Sequence, residues 1–280
     1  MVKELLALVL DKKELRGISE SFAEEILSQW LANNTDVQRS YEEDPDNFMR
    51  TKEYARLRSE VREELRIIYG AFFTAKYASK KKKYVKELIR TGSEQARQEL
   101  LSLHRSSKER LLSYAFVYQQ LFANIPTPKS ILDLGCGFNP FAYEYLGFTP
   151  AYHCADIACE DLELIKEYFS SLGVASSTHC VDVSKPENVS TLPRCEVAFA
   201  FKLFDSLEQR EHDITKHLLE AIPADIVIVS FPTRSIGGKK RIKPRAWFER
   251  IVTNKVLFEV TLDNEQFYVI TQTGKEGFTH

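Results

Sequence analysis

This sequence has no long apolar run. The most apolar stretch near its start, Leu5–Leu10, is six residues long and is followed by charged side chains. A helix that crosses a membrane needs about 20 apolar residues, and the apolar region of a secretion signal needs about 7–15. We therefore expect no membrane partner and no secretion, and we assign the protein to the cytoplasm.

Cysteine is scarce. The five cysteines all lie after residue 135, at Cys136, Cys154, Cys159, Cys180 and Cys195. No two of them form a CxxC pair, and no histidine stands at the spacing of a metal ligand. We expect no metal site, and we expect the thiols to be reduced and mostly buried.

The chain also lacks a strong net charge. Its formal net charge of -2 at pH 7 gives no overall attraction to nucleic acid. The charges are nevertheless segregated, because residues 1–50 hold 6 basic and 11 acidic side chains, whereas residues 51–100 hold 13 basic and 7 acidic ones. Any contact with nucleic acid is therefore expected from local basic clusters.

The first part of the chain lacks the alternating pattern of a β-strand. Its apolar residues recur at helical spacing, for example at Tyr54, Leu57, Val61 and Leu65. We predict an N-terminal α-helical extension over residues 1–105, followed by a catalytic domain over residues 106–280. The extension has little apolar surface, so we expect it to pack on the domain that follows or to become ordered on RNA.

The second part alternates short β-branched runs with helical stretches. The runs are SILDL, AYHCADI, STHCVDV, EVAFAF, DIVIVSF, VLFEVTL and FYVITQT. Such alternation predicts a parallel, doubly wound sheet, and the short connection Asp263–Glu265 predicts a terminal antiparallel hairpin. A seven-stranded, mostly parallel sheet with this hairpin is the α/β fold of class I, Rossmann-like methyltransferases.

A glycine-rich turn follows the first predicted strand. Gly135, Cys136 and Gly137 would let backbone amides approach a ligand closely, although a structural turn alone could also explain two glycines. The dinucleotide pattern GxGxxG is absent, because Pro140 stands where its last glycine would be. We therefore expect S-adenosylmethionine, which has no phosphate, rather than a nicotinamide dinucleotide.

Two aspartates stand at the ends of the second and third predicted strands. Asp156 is placed to accept both hydroxyls of a ribose, and Asp182 to accept a hydrogen bond from an adenine amino group. Each could instead serve as the N-cap of the following helix. The methionine carboxylate of the cofactor needs a cation, and we assign Arg110, since a guanidinium binds a carboxylate through two hydrogen bonds. The alternative is that residues 106–110 are a charged helix start.

The fourth predicted strand ends in AFKLFD, without the Asn/Asp-Pro-Pro-aromatic tetrad of many enzymes that methylate exocyclic amines. A ring nitrogen has a free lone pair and loses no proton when it attacks a methyl group. Alignment of the reactants then supplies the catalysis. We therefore predict no catalytic acid or base.

Two basic surfaces and the separate residue Lys108 are predicted to contact RNA phosphates. The residues are Lys80, Lys81, Lys82 and Lys83 in the extension, Lys108 just before the fold, and Arg234, Lys239, Lys240 and Arg241 in a loop after the fifth strand. The alternative is that each cluster is only a solvated face.

Four motifs, SLHRSSKER, ILDLGCGFNP, FKLFDSLE and VSFPTRSIGG, occur in this order between about residues 101 and 238. Together they resemble the aminoglycoside-resistance 16S ribosomal RNA guanine-N7 methyltransferases. The resemblance implies methylation of N7 of guanine 1405, in helix 44 of the decoding A site, on the assembled 30S subunit. It also implies that the extension docks on that subunit.

By this resemblance, Arg110 would hold the cofactor carboxylate, Asp156 the ribose and Asp182 the adenine, with His104, Gly135 and Lys202 lining the pocket. The full cofactor-binding prediction also includes neighbouring residues on the same strand ends, namely Cys136, Gly137, Ile157, Val183 and Phe201. This chain has GCGFNP where members of the family often have ACGLNP, a change that leaves the role of the turn intact.

Two other functions stay open at this point. The protein could methylate another ribosomal RNA site or a small molecule, or it could be a non-catalytic RNA-binding module in ribosome assembly. The intact turn, Asp156 and Asp182 favour a working cofactor site over the last of these.

Overall fold

The computed structural model of the chain describes residues 1–12, 15, 17–68, 76–208, 213–234, 245–262 and 264–272. Within these ranges, seven strands form one sheet. Their bounds are β1 Ser130–Leu134, β2 Ala151–Asp156, β3 Ser176–Cys180, β4 Cys195–Phe201, β5 Ala224–Pro232, β6 Val256–Thr261 and β7 Glu265–Thr271.

The strands lie in the order β3-β2-β1-β4-β5-β7-β6. Strands β1 to β5 pair in parallel, whereas β7 pairs antiparallel with both β5 and β6. The predicted class I fold with its terminal hairpin is confirmed. The order reverses between β2 and β4, on either side of β1, and ligands of such sheets bind at the carboxyl ends of the strands beside this reversal.

Helices cover both faces of the sheet. One face packs with α5 Tyr77–Thr91, α6 Glu94–Leu101, α8 Tyr114–Phe122 and α9 Cys159–Leu172. The other packs with α10 Pro186–Val189, α11 Phe204–Glu208, α12 Ile214–Ala221 and α13 Ala246–Val252. Because the central strands are buried on both faces, they are continuous apolar runs rather than alternating ones.

The first helices form a core of their own. They are α1 Val2–Val9, α2 Glu20–Ala32, α3 Thr35–Glu43 and α4 Lys52–Ile68, and we call them the N-terminal unit. Their apolar faces meet in one cluster, which also includes Ala158 from the start of α9. The N-terminal unit therefore touches the sheet domain at the loop after β2.

The later helices of the predicted extension belong to the core of the sheet. Tyr77, Val85 and Leu88 of α5 share one hydrophobic cluster with Ile131 and Phe199 of the sheet. Helix α7, Arg105–Arg110, follows α6 directly and leads into α8. By packing, the chain thus divides between α4 and α5, upstream of residue 105.

One expectation about the cysteines is wrong. Cys159, at the start of α9, and Cys180, at the end of β3, have Cα atoms 5.1 Å apart and form a disulfide. This pair was not predictable from local spacing, because the two residues meet only when β2 and β3 lie side by side. Cys136, Cys154 and Cys195 are free and buried, as expected. Among the described helices, none is long and apolar enough to cross a membrane.

Candidate functional site

The glycine-rich turn lies at the carboxyl end of β1. Gly135 and Gly137 have φ values of 61° and 48°, which L-residues with a side chain rarely adopt. A Cβ atom on Gly135 would lie 3.0 Å from Leu203 Cδ1, and one on Gly137 would lie 2.9 Å from His104 Nε2. The turn is therefore a close-walled cradle that only glycine fits at both positions.

Asp156 lies beside this turn, at the end of β2. Its Oδ2 accepts a hydrogen bond from the amide of Gly137 at 2.9 Å, and its Oδ1 accepts one from the amide of Ala158 at 2.9 Å. Burial raises the pKa of Asp156, while these backbone amides act to lower it. The carboxylate is thus fixed at the predicted ribose position, with lone pairs left for further donors.

A buried polar network supports the turn from below. Asn139 donates to Asp133 Oδ2 at 2.8 Å, and the Tyr152 hydroxyl donates to the same oxygen at 2.7 Å. Burial raises the pKa of Asp133 from 3.8 to about 7. The roles of Asp133 and Asn139 were not predicted from the sequence. Their positions in the ILDLGCGFNP motif were the available signal.

Asp182 lies two residues beyond the end of β3. Its Oδ1 accepts hydrogen bonds from the amide of Ser184 at 2.9 Å and from the Ser184 hydroxyl at 2.7 Å. Asp182 is not the N-cap of the following helix, which was the structural alternative, because the N-cap of α10 is Lys185. A role in holding adenine stays a prediction, and Val183 is buried beside it.

Arg110 forms a buried ion pair that the sequence analysis did not foresee. Its Nε and Nη2 donate to the two carboxylate oxygens of Glu265, each at 2.8 Å. The side chains are 3% and 1% exposed, so the pair is almost fully removed from water. Burial acts to raise the pKa of Glu265, but Arg110 and Lys202 together lower it, so the carboxylate is charged.

Three further residues join this pair. Lys202 lies at 3.5 Å from Glu265 and also pairs with Glu109, while the hydroxyl of Ser230 donates to Glu265. We call Glu109, Arg110, Lys202, Ser230 and Glu265 the ion cluster. It joins α7 to the ends of β4, β5 and β7, at the same edge of the sheet as the glycine turn.

Lys202 is held in an unusual backbone conformation. Its φ is 56°, in the left-handed region, and its amide donates to both the carbonyl and the hydroxyl oxygen of Ser230. Left-handed non-glycine residues occur where surrounding contacts enforce them, often at functional sites. Phe201, just before it, lies under Arg110, whose Cζ is 4.7 Å from the ring centroid.

His104 covers the glycine turn from the opposite side. Its ring stacks on Phe138 with centroids 5.9 Å apart. Burial, together with the positive charges of Arg110 and Lys202, lowers the pKa of His104 from 6.5 to about 3. The imidazole is therefore neutral and contributes no charge to the predicted carboxylate site.

The predicted cofactor residues thus fall into two groups. The first group lies at the glycine turn and the ion cluster and comprises His104, Arg110, Gly135, Cys136, Gly137, Phe201 and Lys202. The second group comprises Asp156 at the end of β2, and Asp182 and Val183 just after β3. Ile157 differs, because its side chain packs against the N-terminal unit. Glu265, Glu109 and Ser230 were missed. Glu265 was counted in the predicted hairpin connection, whereas the structure places it at the start of β7, where it is buried.

The structure describes only some of the predicted RNA-binding residues. Lys82, Lys83, Lys108 and Arg234 are exposed and Lys80 is partly exposed, as an RNA contact requires. Lys239, Lys240 and Arg241 lie outside the described residues. Just after them, Arg245 forms an ion pair with Asp205 of α11.

The prediction is wrong for Lys81. This side chain is 4% exposed, and its Nζ lies 2.6 Å from Asp161 and 2.7 Å from Glu160. It therefore faces the protein and not a phosphate. The helical period explains the placement, because Lys81 stands four residues from both Tyr77 and Val85, on the buried face of α5.

The residues at this edge of the sheet are compatible with an adenosine ligand. The cradle at Gly135 and Gly137 has no room for a side chain, and Asp156 supplies the acceptors that a ribose needs. Glu265 uses two of the five N–H groups of Arg110, so the guanidinium can still donate to a second carboxylate. No group of His, Cys, Asp and Glu side chains that could hold a metal ion occurs among the described residues.

Comparison with known proteins agrees with this chemistry. Residues 55–255 match the family described as "Ribosomal RNA methyltransferase (FmrO)". A 16S rRNA (guanine(1405)-N(7))-methyltransferase of Micromonospora echinospora is 29% identical over 148 residues, which cover 50% of this chain and 51% of that enzyme. The match thus spans about half the length of that relative. An enzyme of the same name from Serratia marcescens is 31% identical over 62% of this chain and 69% of its own.

Solved structures share the fold over almost the whole chain. The 16S rRNA methyltransferase RmtF, in complex with S-adenosyl-L-homocysteine, superposes with a TM-score of 0.75 at 24% identity, covering 96% of this chain and 97% of that one. The 16S rRNA methylase RmtB gives a TM-score of 0.75 at 23% identity, with 97% and 98% coverage. Both likenesses include the N-terminal helices as well as the sheet.

Proposed function

Because the chain belongs to the FmrO family of ribosomal RNA methyltransferases, we propose that it transfers a methyl group from S-adenosylmethionine to N7 of guanine 1405 in 16S rRNA. The products would be 7-methylguanine in the decoding site and S-adenosylhomocysteine. The curated relatives named above carry this activity in their names. This methylation would make the ribosome resistant to aminoglycosides that contact that base.

One observation carries the proposal. The glycine cradle, the fixed carboxylate of Asp156 and the ion cluster lie at the carboxyl edge of one sheet, beside the strand reversal where such folds bind ligands. In this arrangement, Gly135 and Gly137 would admit the adenosine, Asp156 would accept from its ribose, and Arg110 would donate to the methionine carboxylate.

The chemistry asks little of the protein beyond orientation. The cofactor supplies a methyl group on a positively charged sulfur, which is an electrophile. Guanine N7 brings its own lone pair, so no side chain has to remove a proton before it attacks. The neutral His104 and the paired charges of the ion cluster are consistent with a site that positions reactants and does not exchange protons with them.

The partner we propose is the 30S subunit, in the cytoplasm. Residues 1–105 would serve mainly to dock on ribosomal RNA, and residues 106–280 would carry the reaction. The exposed lysines of α5 and α7 and the exposed Arg234 would contact phosphates. This division concerns function, since α5 to α7 pack with the sheet.

A direct experiment tests the proposal. Purified 30S subunits are incubated with the protein and labelled S-adenosylmethionine, and the modified base is mapped by primer extension after borohydride and aniline treatment. We expect a single new stop at guanine 1405. Label in another nucleotide, in free RNA only or in small molecules would point to a different substrate, and absence of any transfer would reject the reaction.

A matched pair of variants tests the site itself. Asp156→Ala should abolish most of the transfer because the ribose loses its acceptor. Asp225→Ala removes a half-exposed carboxylate at the opposite end of β5 and should leave transfer unchanged. Equal activity of the two variants would contradict the assignment of Asp156.

A further inference from the structure

The junction between β2 and α9, residues 156–161, is held by the helices that precede the sheet. It begins with Asp156 and ends with Asp161, in the first turn of α9. Side chains and backbone groups from both α5 and the N-terminal unit contact it. The predicted ribose-binding carboxylate is therefore joined at its base to the part of the chain that we assign to docking.

The first contact comes from α5. Lys81 Nζ lies 2.6 Å from Asp161 Oδ1, and the Tyr77 hydroxyl donates to the other oxygen of the same carboxylate. Both Lys81 and Asp161 are almost fully buried. Removing two charges from water costs several kcal/mol per ion, so a buried pair of this kind is weak evidence for stability alone. Its position is more informative.

A short series of hydrogen bonds leads from this pair to Asp156. The amide of Asp161 donates to the carbonyl oxygen of Ala158 at 2.9 Å. The amide of Ala158 in turn donates to Asp156 Oδ1 at 2.9 Å. The contact of the Asp161 side chain with Lys81 and Tyr77 of α5 thus holds the start of α9 in place. The Ala158 amide, which donates to the Asp156 carboxylate, is part of this segment.

The second contact comes from the N-terminal unit and its flanking turn. The amide of Ser19 donates to the carbonyl oxygen of Ile157 at 2.8 Å, and the amide of Glu160 donates to the carbonyl oxygen of Gly17 at 3.3 Å. Ala158 is buried in the apolar cluster of this unit. The junction is thus contacted both by α5 and by the N-terminal unit with its flanking turn. Both of these parts precede the sheet in the sequence.

We infer that Lys81 is a positioning residue for the cofactor, acting through Asp161 and Ala158 on the carboxylate of Asp156. This inference rests on the proposed function, since it assumes that Asp156 binds the ribose. The helices before the sheet are then part of the cofactor site as well as a docking surface. Lys81 touches no reacting atom.

The test compares two buried cations of the same region. Lys81→Met removes the ion pairs of Lys81 with Asp161 and Glu160. Arg97→Met removes a buried cation of α6 that pairs with Glu94 and with Glu144, away from Asp156. Titration calorimetry with S-adenosylmethionine is carried out on the full-length proteins. We expect about tenfold weaker binding for Lys81→Met, with unchanged stoichiometry, and a change of less than about twofold for Arg97→Met.

Two readouts separate positioning from simple loss of folded protein. In 30S methylation assays, Lys81→Met should raise KM for the cofactor and leave kcat at saturating cofactor nearly unchanged. Hydrogen exchange of the peptide covering residues 156–165, without cofactor, should become faster. A lower stoichiometry or a lower kcat with unchanged KM would mean a structural role only and would overturn the inference.

A milder variant covers the case in which Lys81→Met does not fold. Tyr77→Phe deletes only the hydroxyl that donates to Asp161, and Tyr143→Phe deletes a buried hydroxyl that donates to the carbonyl oxygen of Pro150. We expect Tyr77→Phe to bind the cofactor about threefold more weakly than the parent. Tyr143→Phe should bind it with unchanged affinity. Equal affinities would reject the inference, whereas a parent protein that does not bind the cofactor would reject the proposed function instead.

Discussion

At the scale of single residues, the site is governed by buried charges that neutralise one another. Arg110 and Glu265 share two hydrogen bonds, and Lys202 lies against the same carboxylate. Each of these ions would be costly to bury alone, so the removal of one leaves the others without compensation. The ion cluster is therefore sensitive to substitutions that conserve its shape.

Glu265→Gln tests this dependence. The change preserves the size of the side chain but leaves Arg110 and Lys202 facing a neutral amide, so we expect the free energy of unfolding to fall by about 3–5 kcal/mol. Urea unfolding followed by circular dichroism measures the change. Glu259→Gln, which neutralises an exposed carboxylate on the adjacent β6, should alter stability by less than about 0.5 kcal/mol. Similar losses for both variants would count against the ion cluster.

Asp133 should make stability depend on pH. Burial raises the pKa of Asp133 from 3.8 to about 7. At a pH between these two values, the protein therefore takes up a proton when it folds. The contribution of Asp133 to the free energy of unfolding is therefore present below about pH 4 and is lost as the pH rises through about 7. Asp133→Asn stays neutral, so its stability relative to the parent should increase over this range and then level off.

Thermal unfolding of both proteins at a series of pH values measures this difference. Asp225→Asn is the control, because its carboxylate is half exposed on the opposite edge of the sheet. A difference between Asp133→Asn and the parent that does not vary with pH would show that the buried carboxyl is not protonated.

At the scale of secondary-structure elements, α5 presents two distinct faces. Tyr77, Lys81 and Val85 lie on its buried face, while Lys83 and Lys86 lie on its exposed face. A run of four lysines therefore divides between the inside and the outside of the molecule. Counting charges along the sequence cannot reveal this division, but the helical period can.

The exposed face should contact ribosomal RNA. Lys83→Glu with Lys86→Glu should weaken binding to 30S subunits, and the dependence of log Kd on log salt concentration should become shallower by about 0.7–0.9 for each lost phosphate contact. Filter binding at several salt concentrations measures this. Lys216→Glu, on α12 at the other face of the sheet, is the control. Unchanged binding and slope would remove α5 from the RNA interface.

The sheet and its hairpin were predictable because the central strands β1, β4 and β5 are buried apolar runs and a short connection joins the last two strands. The family was predictable too, because four motifs fall in order between about residues 101 and 238. The partners of buried charges were not predictable. Arg110 and Glu265 are 155 residues apart, and Lys81 and Asp161 are 80 apart. Only the completed fold brings such residues into contact, and a pattern of local spacing contains no record of it.

At the scale of the whole molecule, the described chain contains two kinds of core. The N-terminal unit has its own apolar cluster, whereas α5 to α13 pack on the two faces of the sheet. The first core meets the rest of the molecule mainly through the junction after β2. Disruption of the N-terminal core should therefore affect the position of Asp156 before that of other residues of the site.

Leu57→Ala tests the independence of the N-terminal core. Leu57 is fully buried, so truncation should cost about 2–5 kcal/mol within that unit. Hydrogen exchange should show lost protection in α1 to α4 while β1 and β4 keep theirs. Leu132→Ala, in β1, should reduce protection in the sheet instead. Equal loss throughout the molecule for both variants would indicate one cooperative unit.

The position of Glu265 on β7 has a consequence for synthesis. A chain leaves the ribosome from its N-terminus, so Arg110 and Lys202 emerge well before the carboxylate that neutralises them. Until β7 inserts between β5 and β6, the two cations face a half-built edge of the sheet. The crevice is therefore completed by the last strand of the described chain to be made.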